Sequence, residues 1–185
     1  MIFGDVDIEI VEAFSKRLVA FYSINQIAKI LNKTYPYVNK RVSYLIEVGI
    51  LRKSVLGSSH LCSLNLDNDK CLVLLSLVEI EKRDKFLKRN SELRGALELL
   101  KKEISKRTIH CILLSKEKIV FVLEDPQYSI VIQGFQSTVV GKEEFLDLLL
   151  NNDVLQDHVI VYGFERYFEF VKEVEKELRL KNMPI

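Results

Sequence analysis

The sequence predicts an α+β protein in three parts: an N-terminal three-helix unit closed by a β-hairpin, a helical connector, and a small mixed domain. Three observations lead there. From residue 5 to residue 50, apolar side chains return at three- and four-residue steps, the period of helices packed on one face. From residue 108 the period shortens, and β-branched or aromatic runs alternate with polar breaks. A chain of 185 residues with 48% apolar content is also long enough for one ordinary domain or two small ones, and too apolar to be disordered.

Residues 5–21 carry Ile8, Val11, Ala13 or Phe14, Leu18 and Phe21 at helical steps, which gives a first helix. Ser23 is placed to cap a second, with Ile24, Ile27, Ala28 and Leu31 on its apolar side. Asn32, Lys33 and Thr34 are too few and too polar for anything but a turn. Pro36 is tolerated only in a first helical turn, so a third helix starts at about Tyr35, with Thr34 or Tyr35 as its cap. Val38, Val42, Leu45 and Ile46 form its apolar face, and Gly49 ends it. Residues 50–55, the Gly57-Ser58-Ser59 turn and residues 60–64 read as strand, turn and strand. The sum is a winged helix-turn-helix domain over residues 1–70.

Residues 71–90 form the connector, a helix starting near Asp67 whose Leu72, Leu74, Leu75, Leu77 and Val78 are apolar on more than one face. That stretch is the candidate seam for a homodimer, with the C-terminal domain as its rival. Residues 91–185 make the third part. Leu93, Ala96, Leu97, Leu100 and Ile104 define a helix to about residue 106, and residues 108–114 and 118–123 a hairpin joined by Ser115-Lys116-Glu117. Strands follow at 128–133, 137–140 and 159–162, with helices at 142–150 and 164–180.

The formal net charge of +1 becomes informative only when divided along the chain. Between Phe14 and His60 the bases Lys16, Arg17, Lys29, Lys33, Lys40, Arg41, Arg52 and Lys53 face the single acid Glu47. A phosphate backbone favours that imbalance. Beyond Cys111 acids such as Glu143, Glu144, Asp147, Glu173, Glu175 and Glu177 reverse it, so a nucleic-acid role belongs to the N-terminal part. In a helix-turn-helix the second helix enters the major groove with its N-terminal residues toward the base edges. Thr34, Tyr35, Tyr37, Asn39, Lys40 and Arg41 are therefore the candidate contacts there. Lys40 and Arg41 carry donors for guanine or phosphate, Asn39 could pair with adenine, and the two tyrosines could touch phosphate or a thymine methyl. Arg52, Lys53, Ser58, Ser59 and His60 sit on or beside the wing, placed for phosphate or minor groove.

The stretch SINQIAKILNKTYPYVNKRVSYLIEVGILRK, with its IAxxL and VxxxVxxL runs and the closing Gly-Ile-Leu, then the LGSSHLCSLN hairpin, resembles the winged helix-turn-helix domains of MarR- and ArsR-like prokaryotic regulators. The resemblance places Tyr37, Asn39, Lys40 and Arg41 on the recognition helix and Ser58 to His60 at the wing tip. Pro36 departs from the pattern and should stiffen the helix start.

In the second half, TVVGKEEFLDLLLNNDVLQDHVIVYGFERYFEFVKEV is similar to a stretch of the minimal nucleotidyltransferases of the DNA polymerase β superfamily, through Val139, Glu143 to Leu150, Val159 to Gly163 and Phe168. That family holds two divalent metals with a Gly-Ser turn and a D-x-D pair of aspartates. Here Ser115 has no glycine beside it, and Glu124 and Asp125 are adjacent, so on a strand they point to opposite faces. The resemblance therefore implies a degenerate nucleotidyltransferase-like domain, with no catalytic residue to carry over. His110 and His158 stand without an acid at fixed spacing, the latter in an expected loop, and no GxGxxG or GxxxxGK occurs. Cys62, Cys71 and Cys111 lack metal-ligand spacing and read as buried thiols of a reducing compartment.

The expected function is a sequence-specific DNA-binding transcriptional regulator acting as a homodimer on double-stranded DNA, without cofactor or metal and not an enzyme. The acids Asp5, Asp7, Glu9 and Glu12 argue against a signal peptide, and the longest aliphatic run is too short for a membrane span, so a cytoplasmic protein is expected. Two alternatives stay open: a protein-docking adaptor of a defence, antitoxin or replication assembly, and a divergent metal-dependent nucleotidyltransferase.

Overall fold

A computed structural model describes residues 3–56, 59–90, 94–95, 108–115, 118–127, 129–132, 135–151 and 158–181. The chain divides into two compact units, residues 1–78 with 175–185, and residues 79–174. This division falls inside a helix, where the sequence suggested boundaries at 70 and 90, and the last residues group with the N-terminal part.

In the first unit α1 (Asp5–Ser15), α2 (Ile24–Ile30) and α3 (Tyr35–Glu47) precede the strands β1 (Leu51–Leu56) and β2 (Ser59–Leu64). Ile10, Val11 and Phe14 of α1, Ile27 of α2 and Val38, Val42 and Leu45 of α3 have no solvent exposure and form its core. The first helix ends at Ser15 rather than running to residue 21. The reason lies downstream: Tyr22 and Cys62 exchange backbone hydrogen bonds of 2.9 and 2.8 Å, which requires extended backbone at Tyr22 and forces the helix to unwind first. Ser23 caps α2 in both directions, its hydroxyl accepting from the Gln26 amide at 3.2 Å and its amide donating to Gln26 Oε1 at 2.7 Å. Asn32 turns the chain with φ 51°, a left-handed conformation that asparagine tolerates.

The helix α3 begins at Tyr35, with Thr34 as N-cap and Pro36 in the first turn as the sequence requires. Gly49, at φ 80°, breaks away from it, and Asn65 Nδ2 fixes the break by donating to the Gly49 carbonyl at 2.8 Å. The antiparallel hairpin then pairs Leu51 with Leu64, Lys53 with Cys62 and Leu56 with Ser59. Arg179, near the C-terminus, donates to the Leu64 carbonyl at 2.9 Å and stacks its guanidinium over Phe21 at 5.2 Å.

The long helix α4 (Asp69–Arg89) enters the first unit and leaves in the second. Of its expected seam, Leu74, Leu75 and Val78 are buried within this chain, Leu72 is half-buried and Leu77 is 40% exposed, while Val73, outside that seam, is 66% exposed. The apolar positions on several faces sort by burial in a way that the sequence pattern left undecided.

The second unit contains β3 (Ile109–Ser115), β4 (Lys118–Leu123), β5 (Gln136–Val140), α5 (Lys142–Leu150), β6 (His158–Tyr162) and the first part of α6 (Phe164–Lys181). Its sheet has the order β5-β4-β3-β6, with β3 antiparallel to both neighbours and β4 parallel to β5. Ile112, Leu114, Ile119, Phe121 and Leu123 pack on one another, with Phe86 and Leu87 of α4 against them. Residues 129–132 form no strand; Ile132 makes an isolated bridge to Phe135, and the Ser137 hydroxyl donates to the Ile130 carbonyl where a ladder partner was expected. The helix expected at 93–106 lies outside the described residues except for Arg94 and Gly95, which are helical. Tyr128, Gln133 and the Lys116-Glu117 turn also lie outside them.

His158 is the first residue of β6, not a loop residue; it is 2% exposed and its ring lies 5.2 Å from that of Tyr167. Glu124 and Asp125 are exposed in the turn after β4, where Asp125 accepts the Gln127 amide at 3.1 Å. Among the described residues no three His, Cys, Asp or Glu side chains come together in a metal-holding group, and no helix is long and apolar enough to cross a membrane.

Two outcomes test this packing. Gly163 joins β6 to α6 at φ 75°, and a Cβ there would meet the His110 carbonyl at 2.0 Å. Gly163→Ala should lower stability by about 2–4 kcal/mol, read as a lower urea midpoint. All three cysteines are buried thiols, with the Cys71 thiol pushed up to about 12 by burial. A thiol reagent at neutral pH should label them slowly in the native protein and quickly in urea.

Candidate nucleic-acid interface

The direction of each α3 side chain follows from the core beneath it. With Val38, Val42 and Leu45 turned inward and 3.6 residues per turn, the outward face is centred on Pro36, Lys40, Ser43 and Glu47. Lys40 and Ser43 are exposed there, and Asn39 is half-buried at the edge. Tyr35 and Tyr37 flank the face from opposite sides, 46% and 49% exposed. Thr34, exposed as well, makes no capping hydrogen bond with its side chain.

A groove of about 520 Å³ runs beside that face. Tyr35, Asn39, Ser43 and Ile46 of α3 form one wall, at steps of four, four and three residues, which aligns them along the helix. Ser23, Ile24 and Asn25 at the start of α2 close one end, and Lys53, His60 and Cys62 of the hairpin make the other wall. Lys53 and His60 are exposed, and the Cys62 thiol is raised by burial. The lining is thus hydroxyls, amides, one imidazole and one ammonium, a donor-rich surface with apolar patches at Ile24 and Ile46.

The cations expected to face a ligand divide into two kinds. Among the described residues, Lys40 and Lys53 are held in no ion pair. Arg41 and Arg52 are. Arg52 pairs with Asp67 at the surface, where both side chains are substantially exposed. Arg41 turns to the opposite flank of α3 and grips Asp7 with Nε at 2.8 Å and with Nη2. Its guanidinium also lies 5.0 Å from the Tyr44 ring centroid. The donors that the sequence offered to a guanine are spent on a carboxylate of α1, and the hydrogen bond to Asp7 raises the Arg41 pKa further.

Of the residues expected to make contacts, the structure brings Tyr35, Asn39, Lys53 and His60 to one groove and sets Lys40 beside it. Ser59 is in β2 opposite Leu56, and Ser58 lies outside the described residues. Ser23, Asn25, Ser43, Ile46 and Cys62 were missed. Ser43 was recoverable, standing four residues after Asn39 on the same helical face. The α2 and hairpin contributors carry no local signal, because their approach to α3 is set by the turn and by the Tyr22–Cys62 pairing.

No family model matches the chain, and no curated protein does. The nucleotidyltransferase resemblance of the second half accordingly rests on sequence alone. Among solved structures, the chain is similar to MepR, a transcription regulator of the Staphylococcus aureus multidrug efflux pump MepA, at 14% identity over 55% of this chain and 80% of that one, with a TM-score of 0.39. It is also similar to a mutant of Lactococcus lactis ZitR, at 19% identity over 57% of this chain and 80% of that one, with a TM-score of 0.34. The winged helix-turn-helix arrangement described for this chain stands on its own helices, turn and hairpin.

Proposed function

We propose that this chain is a DNA-binding transcriptional regulator that reads double-stranded DNA with α3 and steadies itself with the hairpin. The observation that carries the reading is the outward face of α3, where Lys40 and Ser43 are exposed and Asn39 lies half-buried at the edge, beside a groove walled by Lys53 and His60. With α3 in the major groove, Asn39 has the paired donor and acceptor that adenine requires, and Lys40 supplies a cation for guanine or phosphate. Tyr35 and Tyr37 offer ring faces to thymine methyls and hydroxyls to phosphate. Lys53 and His60 meet the backbone beside the helix. One helix of this length reads few base pairs, which favours a homodimer on two half-sites about one DNA turn apart. Of the α4 seam, Leu77 is the side chain exposed for such a contact, and Val73, outside the expected seam, is exposed on the same helix. The second unit serves this reading as a non-catalytic domain, a degenerate nucleotidyltransferase by its sequence resemblance.

A protein-docking role draws on one observation, the exposed apolar set Ile30, Tyr35 and Tyr37 around the turn between α2 and α3. It predicts a partner that co-purifies with the chain in the absence of nucleic acid.

Anisotropy titration of a labelled duplex across a salt series separates the two. The DNA reading expects tight binding at low salt that weakens steeply as salt rises, and the Lys40→Ala, Lys53→Ala pair should flatten the slope of log K against log salt by about 1.8. Absence of binding at low salt, or the same slope in the double variant, would end it.

A further inference from the structure

We propose that Asp7 and Arg41 form a clamp that fixes how α3 is presented, so that Arg41 acts on nucleic acid only through its grip on α1; the affinity part of this inference rests on the DNA reading above. Asp7 sits in the first turn of α1 with no solvent exposure. Its Oδ1 accepts from Arg41 Nε at 2.8 Å, and its Oδ2 accepts from Arg41 Nη2 and from the Gly4 amide, the latter at 2.9 Å. Among the described residues, the donors to this carboxylate come from the residue before α1 and from α3. A fork-to-carboxylate pair fixes two points at once, and so sets the rotation of α3 about its axis as well as its distance from α1. Rotation is what matters for reading, since Lys40 is the residue next to Arg41 and swings with it. Apolar packing of Val38, Val42 and Leu45 alone tolerates small rotations, because it is non-directional. A second tie between α1 and the turn before α3, Glu9 to Lys33 at 2.7 Å, is partly exposed and correspondingly weak.

The clamp makes Asp7 a positioning residue for DNA although it has no exposed surface with which to touch a ligand. The full chain is assayed by duplex anisotropy over a salt series and by hydrogen exchange. Arg41→Lys keeps the charge but loses the fork, so it should weaken binding about tenfold while leaving the salt slope unchanged. Asp7→Asn should cost a similar factor, and the double variant little more, because both remove one interaction. Lys40→Ala, by contrast, should lower the slope by about 0.9. In both clamp variants the α3 amides from Val38 to Tyr44 should exchange about tenfold faster, with those of β3 and β4 unchanged. If Arg41→Lys binds like the unaltered chain, if Arg41→Ala lowers the slope as Lys40→Ala does, or if α3 exchange stays as it was, the clamp is overturned. Should Asp7→Asn not fold, Arg41→Lys carries the same outcomes. Should the unaltered chain bind no duplex, the DNA reading falls by itself and the exchange measurement still decides the clamp.

Discussion

A carboxylate sealed from water must be given donors inside the protein, and at Asp7 the Gly4 amide and the Arg41 guanidinium meet that demand. Removing one partner from a buried pair costs about 3–5 kcal/mol in general, and the lower end applies here because the Arg41 side chain keeps 28% of its surface exposed. Meeting the demand draws α1 and α3 together at residues 34 apart in sequence. It also removes the most versatile hydrogen-bonding side chain of α3 from the ligand face. What is left on and beside that face, among the described residues, is Lys40 in no ion pair, Asn39, Ser43, Tyr35 and Tyr37, with Pro36 at one end and the acid Glu47 at the other, a sparser surface than the raw count of bases suggests.

The groove beside α3 is a consequence of two backbone arrangements. Gly49 adopts a left-handed conformation that lets the chain leave α3 and run back as β1, with Asn65 bonded to its carbonyl from the end of β2. Tyr22 pairs with Cys62 on the other side of the same strand, which delivers Ser23 and the start of α2 to the groove's end. Hairpin, turn and helix start are held by main-chain hydrogen bonds together with the Asn65 amide and the Ser23–Gln26 cap, while Lys53 and His60 face outward.

The second unit shows a different economy. Its central strands β3 and β4 are buried along almost their whole length, as expected of a sheet covered on both faces. Continuous burial leaves little room for acids on those strands, and Glu124 and Asp125 appear only where β4 has ended. His158 and Tyr167 are drawn inside and packed ring against ring. The stretch at 129–132 has β-rich composition but makes no ladder: the Ile130 carbonyl accepts from the Ser137 hydroxyl, Ile132 has an isolated bridge to Phe135, and Val131 is largely exposed.

Periodicity, capping chemistry and the punctuation of proline and glycine were enough to place α2, α3, the first hairpin, β3 with β4, α5, β6 and α6, because each of these is decided by interactions within a few residues. The basic N-terminal half was legible from composition, and the outward direction of Tyr35, Tyr37 and Lys40 from helical periodicity, whereas Ser43 on the same face was overlooked. The end of α1, the inward turn of Leu74, Leu75 and Val78, the capture of Arg41 by Asp7 and the gathering of Ser23, Asn39, Lys53 and His60 around one groove were not legible. Those depend on which surfaces meet after the chain has folded back on itself, and a buried charge or an extended residue imposes its requirement on a partner that local sequence does not name.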